Sequence, residues 1–176
     1  VAFIGIHLPA YVTDLGLAPQ VGAYCLALIG LFNIAGSFLA GMAGSRWSKT
    51  YGLSWIYLAR ALVILGLLVA PKTALTLYVF SALMGLLWLS TIPLTTGVVA
   101  EVFGVRYVAT LYGFVFFGHQ VGAFIGVWLG GVFYDRYGSY DGMWWAGIVV
   151  GVLAALIHLP ISEKPLPRVV AASAVA

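Results

Sequence analysis

His119 and Gln120 stand side by side within GFVFFGHQVGAFIGVWLGG, residues Gly113 to Gly131, a stretch that is otherwise almost wholly apolar. An imidazole of ordinary acidity titrates near neutrality, so His119 can take up and release a proton. The Gln120 amide can donate and accept hydrogen bonds. Asn33 offers the same chemistry on an earlier apolar stretch, with Gly30 and Ser37 on its helix face. Arg60 brings a permanent cation into the middle of another. Trp88, Thr91 and Thr95 recur at i, i+3, i+7, one helical face carrying an indole and two hydroxyls. His7 and Tyr11 near the start, and Tyr24 after them, are further polar groups on apolar segments.

These groups are sparse because the chain is so oily. Hydrophobic residues make up 63% and charged ones 7%, against about a quarter charged in a soluble domain. A water-facing surface cannot be built from this composition, so the solvent for most of the chain must be lipid. A net charge of +3 with no basic cluster gives no sign of nucleic acid as a partner. The lone Cys25 excludes a disulfide within the chain and is read as a small core residue. No HExxH, GxSxG or Walker loop occurs, the apolar spans hold no acidic pair, and the three histidines fall on different spans. Neither an enzyme nor a cofactor or metal site is expected.

Charged residues punctuate the chain and set its elements. The expected helices are a partial one at 1–13, then 20–44, 52–70, 74–98, 109–133 and 142–161, each of the last five long enough to cross a bilayer. The runs lack the in/out alternation of a membrane barrel. The apolar start is about half a membrane span and has no basic flank, which suggests a helix cut through and a longer parent chain. Residues 162–176 are expected to form a disordered tail. Pro93 should kink or loosen the 74–98 helix. Arg46, Lys49, Arg106, Lys164 and Arg168 fall on one side of the membrane, Lys72 and Arg136 with Asp14, Asp135 and Asp141 on the other. The excess of cations marks the first side as cytoplasmic, with the C-terminus inside.

Small residues mark where helices meet closely in lipid. Gly118, Gly122, Gly126 and Gly130 drift by about 40° per step on an ideal helix and so form one narrow groove. Gly36, Ala40 and Gly44 make a similar strip. His119 lies within the angular range of the glycine groove and Gln120 outside it. Each polar group has two readings: an interhelical hydrogen bond, or the wall of a solute path. For Arg60 the options are backbone carbonyls, snorkelling, a loop acid such as Glu101, a partner beyond this chain, or an anionic solute.

GSRWSKTYG at 44–52 resembles the loop motif Gly-x-x-x-Asp-Arg-x-Gly-Arg-Arg of the major facilitator superfamily. Gly44, Arg46 and Lys49 match in kind, while Ser45, Trp47 and Ser48 offer no counterpart to its acid. HLPAYVTDLGL, followed by PLTTGVVAEVFGVRYVATLYGFVFFGHQVGAFIGVWLGGVFYDRYGSYDGMWW, resembles the C-terminal half of bacterial relatives of oxalate/formate and monocarboxylate transporters. The resemblance implies an all-α membrane protein: a six-helix bundle, its first helix truncated, forming the C-terminal half of a twelve-helix fold. It implies that 1–13, 20–44, 74–98 and 109–133 line a central path and that 52–70 and 142–161 lie outside them. On that footing His119, Gln120, Asn33, Thr91, Thr95, Trp88 and Tyr11 are the solute-facing candidates, with His119 the candidate for carrying a proton. Arg60, Arg46, Lys49 and Glu101 become structural charges. The glycine faces of 20–44 and 109–133 would meet an absent N-terminal half. The implied activity is secondary transport of a small organic anion by alternating access, as symport or antiport, in a bacterial inner membrane. A non-transporting helical scaffold or receptor subunit is the rival reading, and a membrane-embedded enzyme a third.

Overall fold

The computed structural model describes residues 1–166; the expected tail from Pro167 onward, including Arg168, lies outside the described residues. The described residues form helices and contain no strand. In chain order these are α1 (Ala2–Asp14), α2 (Pro19–Gly44), α3 (Lys49–Val69), α4 (Ala74–Trp88), α5 (Thr91–Phe103), α6 (Val108–Tyr137) and α7 (Asp141–His158), with a 3-10 turn at Val105–Tyr107 before α6. Five runs are long and apolar enough to cross a membrane: Pro19–Gly44, Lys49–Val69, Ala74–Phe103, Val105–Tyr137 and Asp141–His158.

Local sequence explains where the helices start and stop. Pro19 sits in the first turn of α2, where its missing N–H costs nothing. Ser48 and Thr73 cap α3 and α4, their hydroxyls accepting from the amides of Tyr51 and Thr76. Gly138 ends α6 in the left-handed region (φ 63°), which a Cβ would strain. At the end of α3, the Lys72 ammonium donates to the carbonyls of Leu67, Leu68 and Ala70, serving acceptors that the helix itself leaves free.

The expected single helix over 74–98 is two helices. Pro93 has no N–H to offer the Leu89 carbonyl, and the ladder opens at Leu89–Ser90, four residues before it. The Ile92 amide turns to the Leu89 carbonyl instead (2.9 Å), and the Ser90 hydroxyl donates to that of Leu86. α5 then continues to Phe103, beyond the expected end.

Packing is closest where glycine removes the side chain. A Cβ on Gly36 would lie 1.8 Å from the Leu86 carbonyl oxygen, and one on Gly85 would lie 2.7 Å from that of Ile29. The backbones of α2 and α4 therefore touch, which is how helices gain contact in a solvent as apolar as themselves. Gly44 meets Leu94 of α5. This corrects the expectation that the strip on α2 faces an absent partner: this chain's own α4 and α5 fill it. α3 and α7 pair similarly, with Gly151 against Ala61 and the Ser54 hydroxyl donating to the Ala155 carbonyl at 2.8 Å.

α6 is the loosest member. Gly130 is its one buried residue, pressed against Phe3 and His7 of α1. No atom of another helix lies within 4 Å of a Cβ built on Gly118, Gly122 or Gly126. The expected continuous glycine groove is thus divided, filled at Gly130 and open elsewhere. The core is apolar, with Leu8, Val12, Leu77, Met84 and Trp144 fully buried. The outer surface is apolar too, as Leu31, Ile34, Phe114 and Phe124 illustrate, which suits lipid on the outside.

The two ends differ in charge. Asp14, Asp135 and Asp141 gather at one, with the Tyr134 hydroxyl donating to Asp14 (3.1 Å). At the other, Lys49 pairs with Glu101 at 2.7 Å, so Glu101 does not reach Arg60. Glu163 belongs to the segment expected to be disordered, yet it is tied down. Its carboxylate accepts from the Thr50 amide (2.8 Å), the Thr50 hydroxyl (2.7 Å) and the Ser48 hydroxyl. Burial pushes the Glu163 pKa up, but these donors together outweigh it and bring the value from 4.5 down to about 2. The Leu166 amide adds a bond to the Val102 carbonyl at 3.0 Å. A carboxylate from beyond α7 thus serves the α2–α3 loop, which holds none of its own between Gly44 and Gly52.

Candidate solute cavity at the broken helix

The break between α4 and α5 frees backbone groups deep in an apolar bundle, where each must find a partner. Two of the polar residues legible in the sequence supply them. Arg60 of α3 donates from Nε to the Leu87 carbonyl (3.0 Å), and from Nη2 to both the Leu87 and Trp88 carbonyls, the latter at 2.8 Å. Asn33 of α2 accepts the Leu89 amide at 3.0 Å through Oδ1, which also takes a longer bond from Ser37. Arg60 is 8% exposed and its guanidinium lies over the Tyr57 ring, 5.2 Å from the centroid. Of the options open to Arg60 in the sequence, backbone carbonyls are the one adopted, and they belong to the end of α4.

Beside the break lies a cavity of about 500 Å³. Trp88, Thr91 and Thr95 line it from α4 and α5, His119 from α6, and Arg60 and Tyr57 from α3. Val1, Ala2 and Phe3 form the α1 wall and Val150 closes the α7 side. Arg60 is the one charged side chain in these walls, so the field inside is positive, and low-dielectric surroundings screen it weakly. His119 stacks on Phe116, the ring centroids 6.2 Å apart.

The structure therefore brings Trp88, Thr91, Thr95 and His119 together. It does not bring the other candidates with them. Gln120 is exposed and is not among the walls. Asn33 is engaged as the cap on Leu89. Tyr11 is core: it is 6% exposed and packs edge-on against Trp144, centroids 5.3 Å apart. Arg46 is exposed at the basic end, while Lys49 and Glu101 form their ion pair there.

Four aromatic walls were not among the sequence candidates: Phe3, Tyr57, Tyr112 and Phe116. For α6 the signal was present. Tyr112, Phe116, His119, Ala123 and Gly126 recur at steps of three and four, one face of a helix. The face is nearly as apolar as its neighbours, so periodicity alone does not set it apart. No group of three or more His, Cys, Asp or Glu that could hold a metal ion occurs among the described residues.

The chain is 30% identical over 167 residues to an uncharacterized MFS-type transporter, YcxA, of Bacillus subtilis (strain 168), covering 92% of this chain and 40% of that protein. It is 28% identical over 138 residues to monocarboxylate transporter 12-B of Danio rerio, covering 77% of this chain and 29% of that one. The chain thus spans less than half the length of these relatives. No solved structure gives a significant match. The family model of the Major Facilitator Superfamily matches residues 1–175. With five membrane-length helical runs in the same stretch, this is an integral membrane protein, and, matched from its first residue to its last but one, the chain belongs to the Major Facilitator Superfamily.

Proposed function

We propose that this chain forms one half of a secondary transporter that moves a small organic anion by alternating access, with monocarboxylates the first class to test. The solute sits beside the break between α4 and α5. Arg60 gives that space its positive field, and the Thr91 and Thr95 hydroxyls and His119 offer hydrogen bonds. Trp88 supplies an apolar wall for the carbon part. His119 carries the accompanying proton. A second bundle, from the remainder of the parent protein, closes the other side of the path and covers the open face of α6 at Gly118, Gly122 and Gly126. The basic end faces the cytoplasm, by the bias of Lys and Arg, in a bacterial inner membrane.

The observation that carries this reading is the convergence of one cation, two hydroxyls, an imidazole and an indole on a cavity of about 500 Å³. Small-molecule sites commonly enclose about 300–1,000 Å³, mostly apolar with a few placed polar groups. Carriers also tend to build their sites near the bilayer midplane from interrupted helices. The fish relative's name points to the same solute class, at a distance.

The test is counterflow in proteoliposomes holding the full-length protein: vesicles loaded with one unlabelled monocarboxylate, challenged with the labelled one, with a sugar and a zwitterionic amino acid as controls. Exchange of the carboxylates alone is the expected result. Exchange confined to neutral solutes sinks the anion. His119→Ala should flatten the pH dependence of net uptake, and a profile unchanged from wild type removes the proton role.

A further inference from the structure

His7 stands where three helices meet toward the acidic end, outside the cavity just described. Its Nε2 lies 3.0 Å from the Val127 carbonyl of α6, and its Nδ1 lies 3.2 Å from the Tyr140 hydroxyl at the start of α7. A carbonyl oxygen only accepts, so Nε2 carries the hydrogen. In the neutral ring Nδ1 is then bare and accepts the Tyr140 O–H. In the imidazolium Nδ1–H donates instead, and the same phenolic oxygen can accept it. Both ring nitrogens therefore keep a partner in either charge state without the ring moving, while the Tyr140 hydrogen must turn away in the charged one.

The room for this contact is specific. A Cβ on Gly130 would lie 2.9 Å from His7 Nε2 and 2.6 Å from the Phe3 ring, so the bare backbone at Gly130 lets the imidazole reach α6. The ring is held between Phe3 and Tyr140, at centroid distances of 5.1 and 5.2 Å.

Charged and titratable groups come to this end of the bundle from three elements. On α1, Tyr11 is one turn away and Asp14 ends the helix; α6 contributes Tyr134 and Asp135; Tyr140, Asp141 and Trp144 come from α7 and its cap. Tyr134 stacks on Tyr140 with centroids 4.6 Å apart and binds Asp14. Burial, then the charges of Asp14 and the neighbouring Tyr134 and Asp135, push the Tyr140 hydroxyl up, so it keeps its own proton. On the other side stands Arg60, in the cavity wall that Phe3 shares.

We propose that His7 is a second proton-binding site of the transporter, loaded from the acidic end. The proton comes from water at that end and bonds to Nδ1, and Tyr140 turns its O–H away as its oxygen becomes the acceptor. Charging strengthens both bonds and so tightens α1 onto α6 and α7; release loosens them. The reading of the protein as a carrier and its orientation underlie the physiological sense of this site, but not its chemistry.

The test uses the full-length protein with 15N-labelled histidine, followed by ring-nitrogen NMR from pH 8 to pH 5. The His7 signal, assigned by its loss in His7→Gln, is expected to show the Nε2–H tautomer at high pH and to move to the imidazolium position within the range. Tyr140→Phe should shift that midpoint while leaving the fold intact, which guards against a His7→Gln protein that fails to fold. In proteoliposomes, His7→Gln is expected to exchange the carboxylate in counterflow while losing at least half of the change in net uptake across the same pH range. A His7 signal that stays in one form from pH 8 to pH 5, or a His7→Gln uptake profile that superimposes on wild type, overturns the proposal. A wild-type protein that moves no carboxylate sinks the carrier reading and leaves the NMR result standing.

Discussion

Arg60 Nε lies 3.0 Å from the carbonyl oxygen of Leu87, so the cation in the middle of α3 is held by the end of a helix that Pro93 has interrupted. Placing an Arg at mid-membrane costs at least about 2.5–3.5 kcal/mol. Charge-assisted hydrogen bonds contribute roughly 1.5–3 kcal/mol each. With the Leu87 and Trp88 carbonyls both served, the two sides nearly cancel, and the break and the cation stabilise one another.

Arg60→Ala should therefore lower the thermal midpoint of the full-length protein in detergent, despite removing a buried charge, because two carbonyls at the end of α4 lose their donors. Arg60→Lys should fall between wild type and Ala, since an ammonium lacks the fork that meets both carbonyls. Asn33→Ala orphans the Leu89 amide, a loss of about 1–3 kcal/mol. Because Arg60 and Asn33 serve the same break, the double variant should deviate from the sum of the singles. Additive losses would mean that the two caps act independently.

Restoring the ladder is the converse experiment. Pro93→Ala returns an N–H that can reach Leu89 and lets α4 and α5 join. A higher thermal midpoint with slower counterflow is the expected pair of results, because a helix that bends at a prepared point can gate a path and a continuous one resists bending. Faster counterflow in Pro93→Ala would show that the break is not used in transport.

The number and order of the spans were legible because charge is so rare that, Arg60 apart, the charged residues fall at or near helix ends. The break was half legible: Pro93 announced it but could not say whether the helix would kink or part. What completes the break was not legible. Asn33 and Arg60 are 56 and 27 residues from their backbone partners, and only the relative rotation of α2, α3 and α4 decides which groups meet. The glycines make the same point. Gly36 and Gly118 look alike in sequence, yet one touches a backbone and the other touches nothing, because small residues record that a close approach is possible and not with whom. Glu163 was hidden for a related reason, since a polar tail after the last helix gives no sign of the helix start it caps.

That contrast between glycines can be measured. Gly36→Ala places a methyl within van der Waals overlap of the Leu86 backbone, and backbone cannot yield as a side chain can. The variant should destabilise the bundle or fail to assemble. Gly118→Ala and Gly122→Ala enter open space and should leave the stability of this half unchanged. If the second bundle closes against them, both should still slow counterflow in the full-length protein. Wild-type rates in Gly118→Ala and Gly122→Ala together would move the partner surface elsewhere.

The contact at Glu163 carries a pH signature whose sign follows from its pKa. The folded value, about 2, lies below the ordinary 4.5. The stabilisation is therefore fully present above about pH 4.5 and is lost as pH falls through about 2, where the carboxylate protonates in folded and unfolded chains alike. Glu163→Gln keeps the shape but lacks the ionised acceptor for the Thr50 amide and the Ser48 and Thr50 hydroxyls. The thermal midpoints of wild type and Glu163→Gln should differ at pH 6 and draw together between pH 4.5 and pH 2. A difference that stays constant over that window would mean that packing of the segment after α7, and not its ionised carboxylate, holds it to the start of α3.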